Sequence, residues 1–300
     1  MIRWSLVLFF AVAVGSTAFG QEAPRWKFTA GGELRYEVVQ QTTFNVDAQQ
    51  AGTFASNASQ TTDVLWRIDS VDEAGTMTAT QVIERIRVSI TQAEGLELVY
   101  DSDEDDAPAG LSAMLMPMFD LLLDNEVTVV VTSRGEVKEV KLPEEMEGRL
   151  ASIPATRPMS SLITGAGLQR VAQQIALLLP TEGEDSASRK MVIDNRVLGN
   201  LQGELTWKAA GTEGDVHKFE PTIQLSVQPN EQAEEDPYLP VKPLDEPKIT
   251  EQSVTGAAEF DAAVGKLTKS KLELQLTLTG KLLNSKVQSK VKQTVEVTAK

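Results

Sequence analysis

The segment KLELQLTLT, residues 271–279, gives the clearest indication of the fold, because leucine alternates in it with charged or polar residues. Side chains of a strand point alternately to the two faces of a sheet, so a period of two predicts a strand with one buried face and one wet face. The segment SKVQSKVKQTVEVTA, residues 285–299, again places its valines on one parity and its lysines on the other. We therefore predict an antiparallel hairpin connected by residues 280–285.

The N-terminal half repeats this alternation over residues 26–38, 64–68, 82–90 and 96–100, with glycine or aspartate between the runs. Shorter runs between residues 127 and 140 follow the same pattern. Long alternating segments separated by turn residues are typical of neighbouring antiparallel strands. The sequence thus predicts an antiparallel meander on both sides of its middle part.

The middle of the chain has a helical period. Apolar residues between positions 111 and 122 recur three and four places apart, the spacing of one helical face, and Pro117 is predicted to kink or break this helix. Further helical zones are predicted at residues 143–150 and 160–179. The predicted fold class is α+β, mainly β: a curved, half-barrel-like antiparallel sheet of eight to ten strands, with two or three central helices covering its concave face.

The N-terminus has the composition of a secretory signal peptide. Arg3 supplies the positive start, and the apolar run of residues 6–14 is too short to span a bilayer. Ala18 and Gly20 are small residues that predict cleavage before Gln21. We expect a secreted or periplasmic protein that is soluble and without a membrane segment once residues 1–20 are removed.

Residues 21–300 are predicted to form a single β-rich domain. A proline-rich, acidic loop is expected at about residues 229–250, because five prolines stand there among glutamate and aspartate and provide no apolar period. The chain has no cysteine, so neither disulfides nor thiolate metal sites can form. Its formal net charge of −15 disfavours a nucleic-acid partner.

Motifs of catalysis and cofactor binding are incomplete. Asp101, Asp103 and Asp105 have the spacing of a calcium loop, but the glycine and the final glutamate of that motif are missing. Gly165 lies in a fragment of a dinucleotide fingerprint that lacks its last glycine. His217 is the only histidine, and no Gly-x-Ser-x-Gly elbow occurs. The sequence predicts no metal, no cofactor and no enzymatic activity; a hydrolase without a recognisable motif is one alternative.

Two functions are compatible with helices over a concave sheet. Loosely packed helices would leave a site for a lipid, a lipoprotein or another apolar ligand, whereas tightly packed helices would make a structural or interaction scaffold with a filled core. The oligomeric state is not predicted. The residues expected to line the apolar site lie on the predicted helices: Met114, Met118, Leu122, Val171, Ile175 and Leu178.

Short motifs connect the chain to known proteins: Tyr100-Asp101-Ser102 before an acidic run, Leu179-Pro180, residues 256–261 and residues 265–267. With them the chain resembles an uncharacterised secreted β-rich family, a domain of unknown function of planctomycete-type bacteria. Residues 181–189 lack the Gly-Asp-x-Trp-like segment expected there. The order of strands, helices and strands is also similar to half-barrel carriers of lipoproteins and lipids in the cell envelope, at the level of fold only. The resemblance implies an exported β-rich protein and no particular reaction.

Overall fold

The computed structural model describes residues 23–48, 52–92, 95, 97–104, 111–123, 125–152, 165–193, 200–228, 244–282 and 285–300. The predicted signal peptide and the first fifteen residues of the predicted proline-rich loop, 229–243, lie outside this set. The last part of that predicted loop is described and belongs to a strand that begins at Asp245.

Strands account for most of the described chain, and three helices occupy its middle. The helices are α1 (Leu111–Leu123), α2 (Glu144–Ser152) and α3 (Gly165–Ile175). The strands are β1 (Glu33–Ala48), β2 (Gly52–Val71), β3 (Met77–Gln92), β4 (Glu97–Asp101), β5 (Val127–Val131), β6 (Val137–Lys141), β7 (Ser186–Ile193), β8 (Asn200–Glu213), β9 (Val216–Gln228), β10 (Asp245–Asp261), β11 (Lys266–Leu282) and β12 (Ser285–Ala299).

All twelve strands belong to one curved antiparallel sheet. Its order is β6-β5-β3-β2-β1-β12-β11-β10-β9-β8-β7, with β4 paired to another part of β3, and the sheet is open because β6 and β7 do not pair with each other. The predicted hairpin is confirmed as β11 and β12. The sequence predicted fewer strands than are present. The inner positions of β7 to β9 include Arg189, Gly203 and Pro221, which hide the apolar alternation there.

The helices lie on the concave face, called here the inner face. Helices α1 and α2 pack with β3 and β4 around Tyr100, Phe119 and Met146, whereas α3 packs on β6, β1 and β12 in the central cluster that also contains Trp66. Helix α1 continues without a break through Pro117, whose ring is exposed. None of the described helices has the length and apolar character needed to cross a membrane.

The outer face is polar and carries ion pairs between neighbouring strands. Lys292 lies 3.0 Å from Glu273, and Lys300 lies 2.7 Å from Asp63. These pairs put lysine on the wet parity of the C-terminal strands, as the alternation in the sequence predicts. Exposed pairs of this kind contribute little stability individually, about 0–1 kcal/mol. The outer face is thus the polar side of the sheet, and the inner face makes the core.

Candidate ligand-binding face

The inner face carries an apolar surface whose described residues lie on strands, except for Leu244 directly before β10. We call it the apolar basin, and it contains a rim of partly exposed side chains around a buried floor. No described helix residue belongs to its floor. The floor consists of Ala48, Leu201, Leu225, Leu244, Leu274, Leu276, Leu278 and Val287, and the rim of Phe44, Val46, Ile223, Val227, Ile249, Leu272 and Val291.

Strand register explains why these residues meet. Leu276 pairs with Val291, and Val291 pairs with Phe44, so one apolar row crosses β11, β12 and β1 on the same face. Ser289 lies in the next row and is fully buried, and its hydroxyl has no hydrogen-bond partner among the described residues. An unpaired buried hydroxyl costs about 1–3 kcal/mol. The basin thus combines apolar area with an unused polar group.

Strands β9 and β10 form an incomplete seam beside the basin. Their backbone ladder joins only residues 216–219 to residues 258–261. Continuing the same register places Pro221 opposite Gly256, and proline has no N–H to donate. Gly256 has a φ of 151°, and a Cβ on it would lie 2.0 Å from the carbonyl oxygen of Lys271. The ladder therefore ends where these two residues face each other.

Beyond this point a side chain replaces the backbone ladder. The N–H of Leu225 donates to Oε1 of Gln252 at 2.9 Å, and Nε2 of Gln252 lies 3.5 Å from the carbonyl oxygen of Leu225. Every second residue of an antiparallel strand points its backbone groups to the same neighbour, so the nitrogen of Pro221 also faces β10. No residue of β10 from Thr250 to Ala257 is buried. The β9–β10 seam, residues 220–228 and 249–257, is therefore a strand boundary beside the basin that a side chain closes in place of a backbone ladder.

A second opening lies between the two edges of the sheet. Edge strands β6 and β7 line one cavity of about 1110 Å³, which we call the edge cavity. Glu136 and Val137 form one wall, residues 186–190 form the other, and Gln173 of α3 lines it together with Leu178. The sheet thus curls until its edges face each other, and the space between them is a polar slot.

Residues 176–180, the strap that follows α3, bridge this region. The N–H of Leu179 donates to the carbonyl oxygen of Arg134 at 2.8 Å, and the Arg134 guanidinium donates to the carbonyl oxygen of Leu179 at 2.7 Å. The indole N–H of Trp26 donates to the carbonyl oxygen of Leu177 at 3.0 Å. A Cβ on Gly135 would lie 2.0 Å from that same Leu177 oxygen, so only glycine fits beneath the strap. The strap holds the helix end against the β5–β6 turn.

The predicted site residues are distributed over different parts of the inner face. Leu122 is buried in the cluster of α1, α2, β3 and β4. Ile175 is fully buried in the central cluster with Val171 packed against it, and Leu178 lines the edge cavity. The positions of Met114 and Met118 are on α1, and their side chains lie outside what the structure describes.

The apolar basin itself was missed as a site, although its signal is present in the sequence. The leucines of residues 272–278 and the valines of residues 287–295 predict only the buried side of a hairpin. Alternation identifies which face is apolar, but it does not tell whether a helix covers that face. Only the arrangement of the helices distinguishes the basin from the rest of the core.

The acidic and histidine motifs have structural partners. Both oxygens of Asp101 accept bonds from Arg85 at 3.0 and 2.6 Å, and Asp103 lies 2.8 Å from the same guanidinium. The hydrogen bond from Arg85 lowers the pKa of Asp101. Burial lowers the pKa of His217, which lies on β9. Within the described ranges no group of three or more acids or histidines is arranged to hold a metal ion.

Comparisons with known proteins identify no family. No protein-family profile matches the chain, and no curated protein sequence matches it either. The predicted resemblance to a secreted family of planctomycete-type bacteria therefore has no support from a family match.

Several solved structures align with the chain at low structural similarity. Lipovitellin, in a structure concerned with its lipid–protein interactions, has a TM-score of 0.49 at 10% identity, over 91% of this chain and 25% of that chain. OccK5 (OpdH) of Pseudomonas aeruginosa has a TM-score of 0.27 at 5% identity, over 90% of this chain and 99% of that chain. A DUF1329 family protein from Desulfovibrio piger has a TM-score of 0.13 at 8% identity, over 86% of this chain and 83% of that chain.

The chain spans about a quarter of the lipovitellin chain that it matches. With identities of 10% or less and TM-scores below 0.5, these likenesses carry no inference about what this protein does. Its function has to be argued from its own residues.

Proposed function

We propose that this protein is an exported, non-enzymatic carrier that holds a lipid, a lipoprotein or another apolar ligand on the inner face of its sheet. The observation that supports this function is the apolar basin, whose rim is partly exposed and whose floor has no described helix over it. Covering apolar area stabilises a complex by roughly 25 cal/mol per Å². An acyl or other apolar chain laid across the rim would remove that area from water.

The β9–β10 seam supports the same proposal because a ligand needs an entrance to reach the buried floor of the basin. Gln252 closes the seam with side-chain hydrogen bonds, which can break without loss of the backbone ladders on either side of it. Separation of β9 from β10 would expose Ile223 and Ile249 of the rim. We propose this seam as the route to the basin.

A scaffold with a filled core is the competing function. The packing at the centre of the inner face favours a scaffold, because Ala172, Ile175 and Ala176 of the α3 region have no exposed surface there. The proposed ligand site therefore lies in the apolar basin and not under α3. A hydrolase is a second alternative that none of the described residue clusters favours.

Binding of the neutral dye N-phenyl-1-naphthylamine tests the carrier function. In an open basin, Val291→Trp should reduce dye affinity about tenfold or more and cost little stability, because the new ring occupies the site. In a filled core the same substitution overpacks and costs about 1–3 kcal/mol. Val192→Trp is the matched control, since Val192 is 60% exposed on an edge strand. Absence of dye binding by the unaltered protein, together with destabilisation by Val291→Trp, would leave the scaffold as the function.

Two measurements address export and ligand identity. The intact mass of the protein recovered from outside the cytoplasm should equal that of a chain that begins at Gln21. A mass that includes residues 6–14 would contradict the proposed localisation. Native mass spectrometry of protein purified from its own cell envelope should show an additional bound mass that is lost in organic solvent. A homogeneous apoprotein under mild conditions would count against a carrier.

A further inference from the structure

The edge cavity contains a buried cation, Arg189, whose side chain lies on the inner face of β7. Its guanidinium is surrounded by protein atoms, while the residue keeps partial contact with solvent through the cavity. Burial lowers the pKa of Arg189 to about 10, so the group is charged at neutral pH. Buried charges in proteins are normally paired with an opposite charge.

Among the described residues Arg189 has one acceptor, the carbonyl oxygen of Gln173 near the end of α3. This bond caps a carbonyl that has no helical partner, and a cation suits the negative end of a helix. A guanidinium has five N–H donors, so one carbonyl leaves most of them unused. Arg189 lines the edge cavity, which gives these unused donors a space in which a ligand could bind.

The carboxylates around the cavity are engaged elsewhere. Glu136 lies 2.7 Å from Lys138, and Asp185 lies 3.5 Å from Lys208. Glu184 accepts a hydrogen bond from the hydroxyl of Thr181, which lowers the pKa of Glu184. Within the described part of the chain, none of these acids pairs with Arg189.

The inner face of β7 leads from Arg189 to the apolar basin. Met191 follows on the same face and packs against the central cluster, and Ile193 pairs with Leu201 of the basin floor. At about 3.3 Å per residue, Arg189 and Ile193 are roughly 13 Å apart along the strand. A charged head at Arg189 and an apolar tail in the basin would thus lie on the same face of neighbouring strands.

We propose that Arg189 binds the oxyanion headgroup, carboxylate or phosphate, of an amphiphilic ligand whose apolar chain extends into the basin. This inference rests on the proposed carrier function and specifies its ligand class. The planar guanidinium presents parallel N–H donors that match the two oxygens of such a group. The edge cavity is the headgroup site, and the slot between β6 and β7 gives the headgroup access to water.

A matched pair of fluorescent probes, cis-parinaric acid and its methyl ester, tests the inference. The acid should bind the unaltered protein more tightly than the ester, and Arg189→Met should weaken acid binding about tenfold or more with little change for the ester. Arg189→Lys should retain part of the difference in affinity between acid and ester, because lysine keeps the positive charge but lacks the planar pair of N–H donors. Arg67→Met, an exposed arginine paired with Glu126, is the control.

The outcomes separate this inference from the carrier function. Equal binding of acid and ester, unaffected by Arg189→Met, would overturn the headgroup site and leave the carrier intact, with Arg189 only capping α3. Binding of neither probe would overturn both. Displacement of the acid by millimolar inorganic phosphate, without displacement of the ester, would support an oxyanion site. Binding of phosphate without binding of the acid would show a site for free anions and would overturn the proposal of an amphiphilic ligand. Folding of each variant is checked by thermal melting.

Discussion

Gln252 satisfies both backbone groups of Leu225, with its Oε1 accepting from the Leu225 N–H at 2.9 Å and its Nε2 lying 3.5 Å from the Leu225 carbonyl oxygen. A strand pair is thereby held together by one side chain at the place where its backbone ladder has stopped. A side-chain bridge can open by rotation about its own bonds, whereas a ladder has to break several bonds together. The seam can therefore open without breaking a backbone ladder.

Gln252→Leu should open the seam. It removes the partners of Leu225 and should cost about 1 kcal/mol, because each intramolecular hydrogen bond contributes roughly 0.5–1.5 kcal/mol. Hydrogen exchange of the Leu225 amide should become faster, while exchange in β11 stays unchanged. Gln275→Leu on the outer face is the control, since the Gln275 side chain donates to the side chain of Glu273 and not to a backbone group in the described part of the chain. Unaltered exchange at Leu225 would show that the side-chain bridge does not hold the seam.

Gly256→Ala should destabilise the sheet strongly. A Cβ at this position lies 2.0 Å from a backbone oxygen of β11, and the φ of 151° is unfavourable for other residues. Gly211→Ala is a close control, because Gly211 has a φ of 144° and a Cβ added to it would meet nothing within 4 Å. We expect a loss of more than about 2 kcal/mol for Gly256→Ala and a smaller loss for Gly211→Ala in urea unfolding. Equal losses would mean that the backbone angle alone accounts for the effect.

The strap should depend on Gly135 and Trp26. Gly135→Ala forces the β5–β6 turn away from the Leu177 oxygen, whereas Gly183→Ala, with a similar φ of 84° and nothing within 4 Å, does not. Gly135→Ala should cost more than about 2 kcal/mol of unfolding free energy and Gly183→Ala clearly less. Trp26→Phe should cost about 1–3 kcal/mol, because it leaves a buried carbonyl oxygen unpaired. A Gly135→Ala protein as stable as Gly183→Ala would contradict the close packing of the strap.

Acid should weaken the pair of Arg85 and Asp101. The folded pKa of Asp101 is lowered below its unfolded value, so its contribution is complete above the unfolded pKa and is lost as the pH falls through the folded one. Asp101→Asn should therefore lower the melting temperature at pH 7 and have a smaller effect in strong acid, below the folded pKa. Lys208→Gln, at an exposed pair, should change little at either pH. An effect of Asp101→Asn that is the same at both pH values would exclude this ion pair as its cause.

Local patterns in the sequence predict the strands with one buried face, the hairpin of β11 and β12, the presence of central helices and the polar outer face. These follow from local rules, because alternation of Leu272 to Leu278 with charged residues selects both the strand and the side that is buried. The strands of residues 186–228 were harder to predict, because Gly203, Pro221 and Arg189 occupy inner positions and interrupt the apolar alternation there.

The positions of the helices follow from the tertiary structure, and so does the identity of the apolar surface that contains no described helix residue. Pro221 and Gly256 are 35 residues apart in the sequence and become a seam because one register places them face to face. Arg189 becomes a buried cation because the sheet curls and brings β7 towards α3 and β6. Contacts between distant segments leave no periodic pattern in the sequence. The candidate site, which depends on such contacts, could therefore be found only in the folded chain.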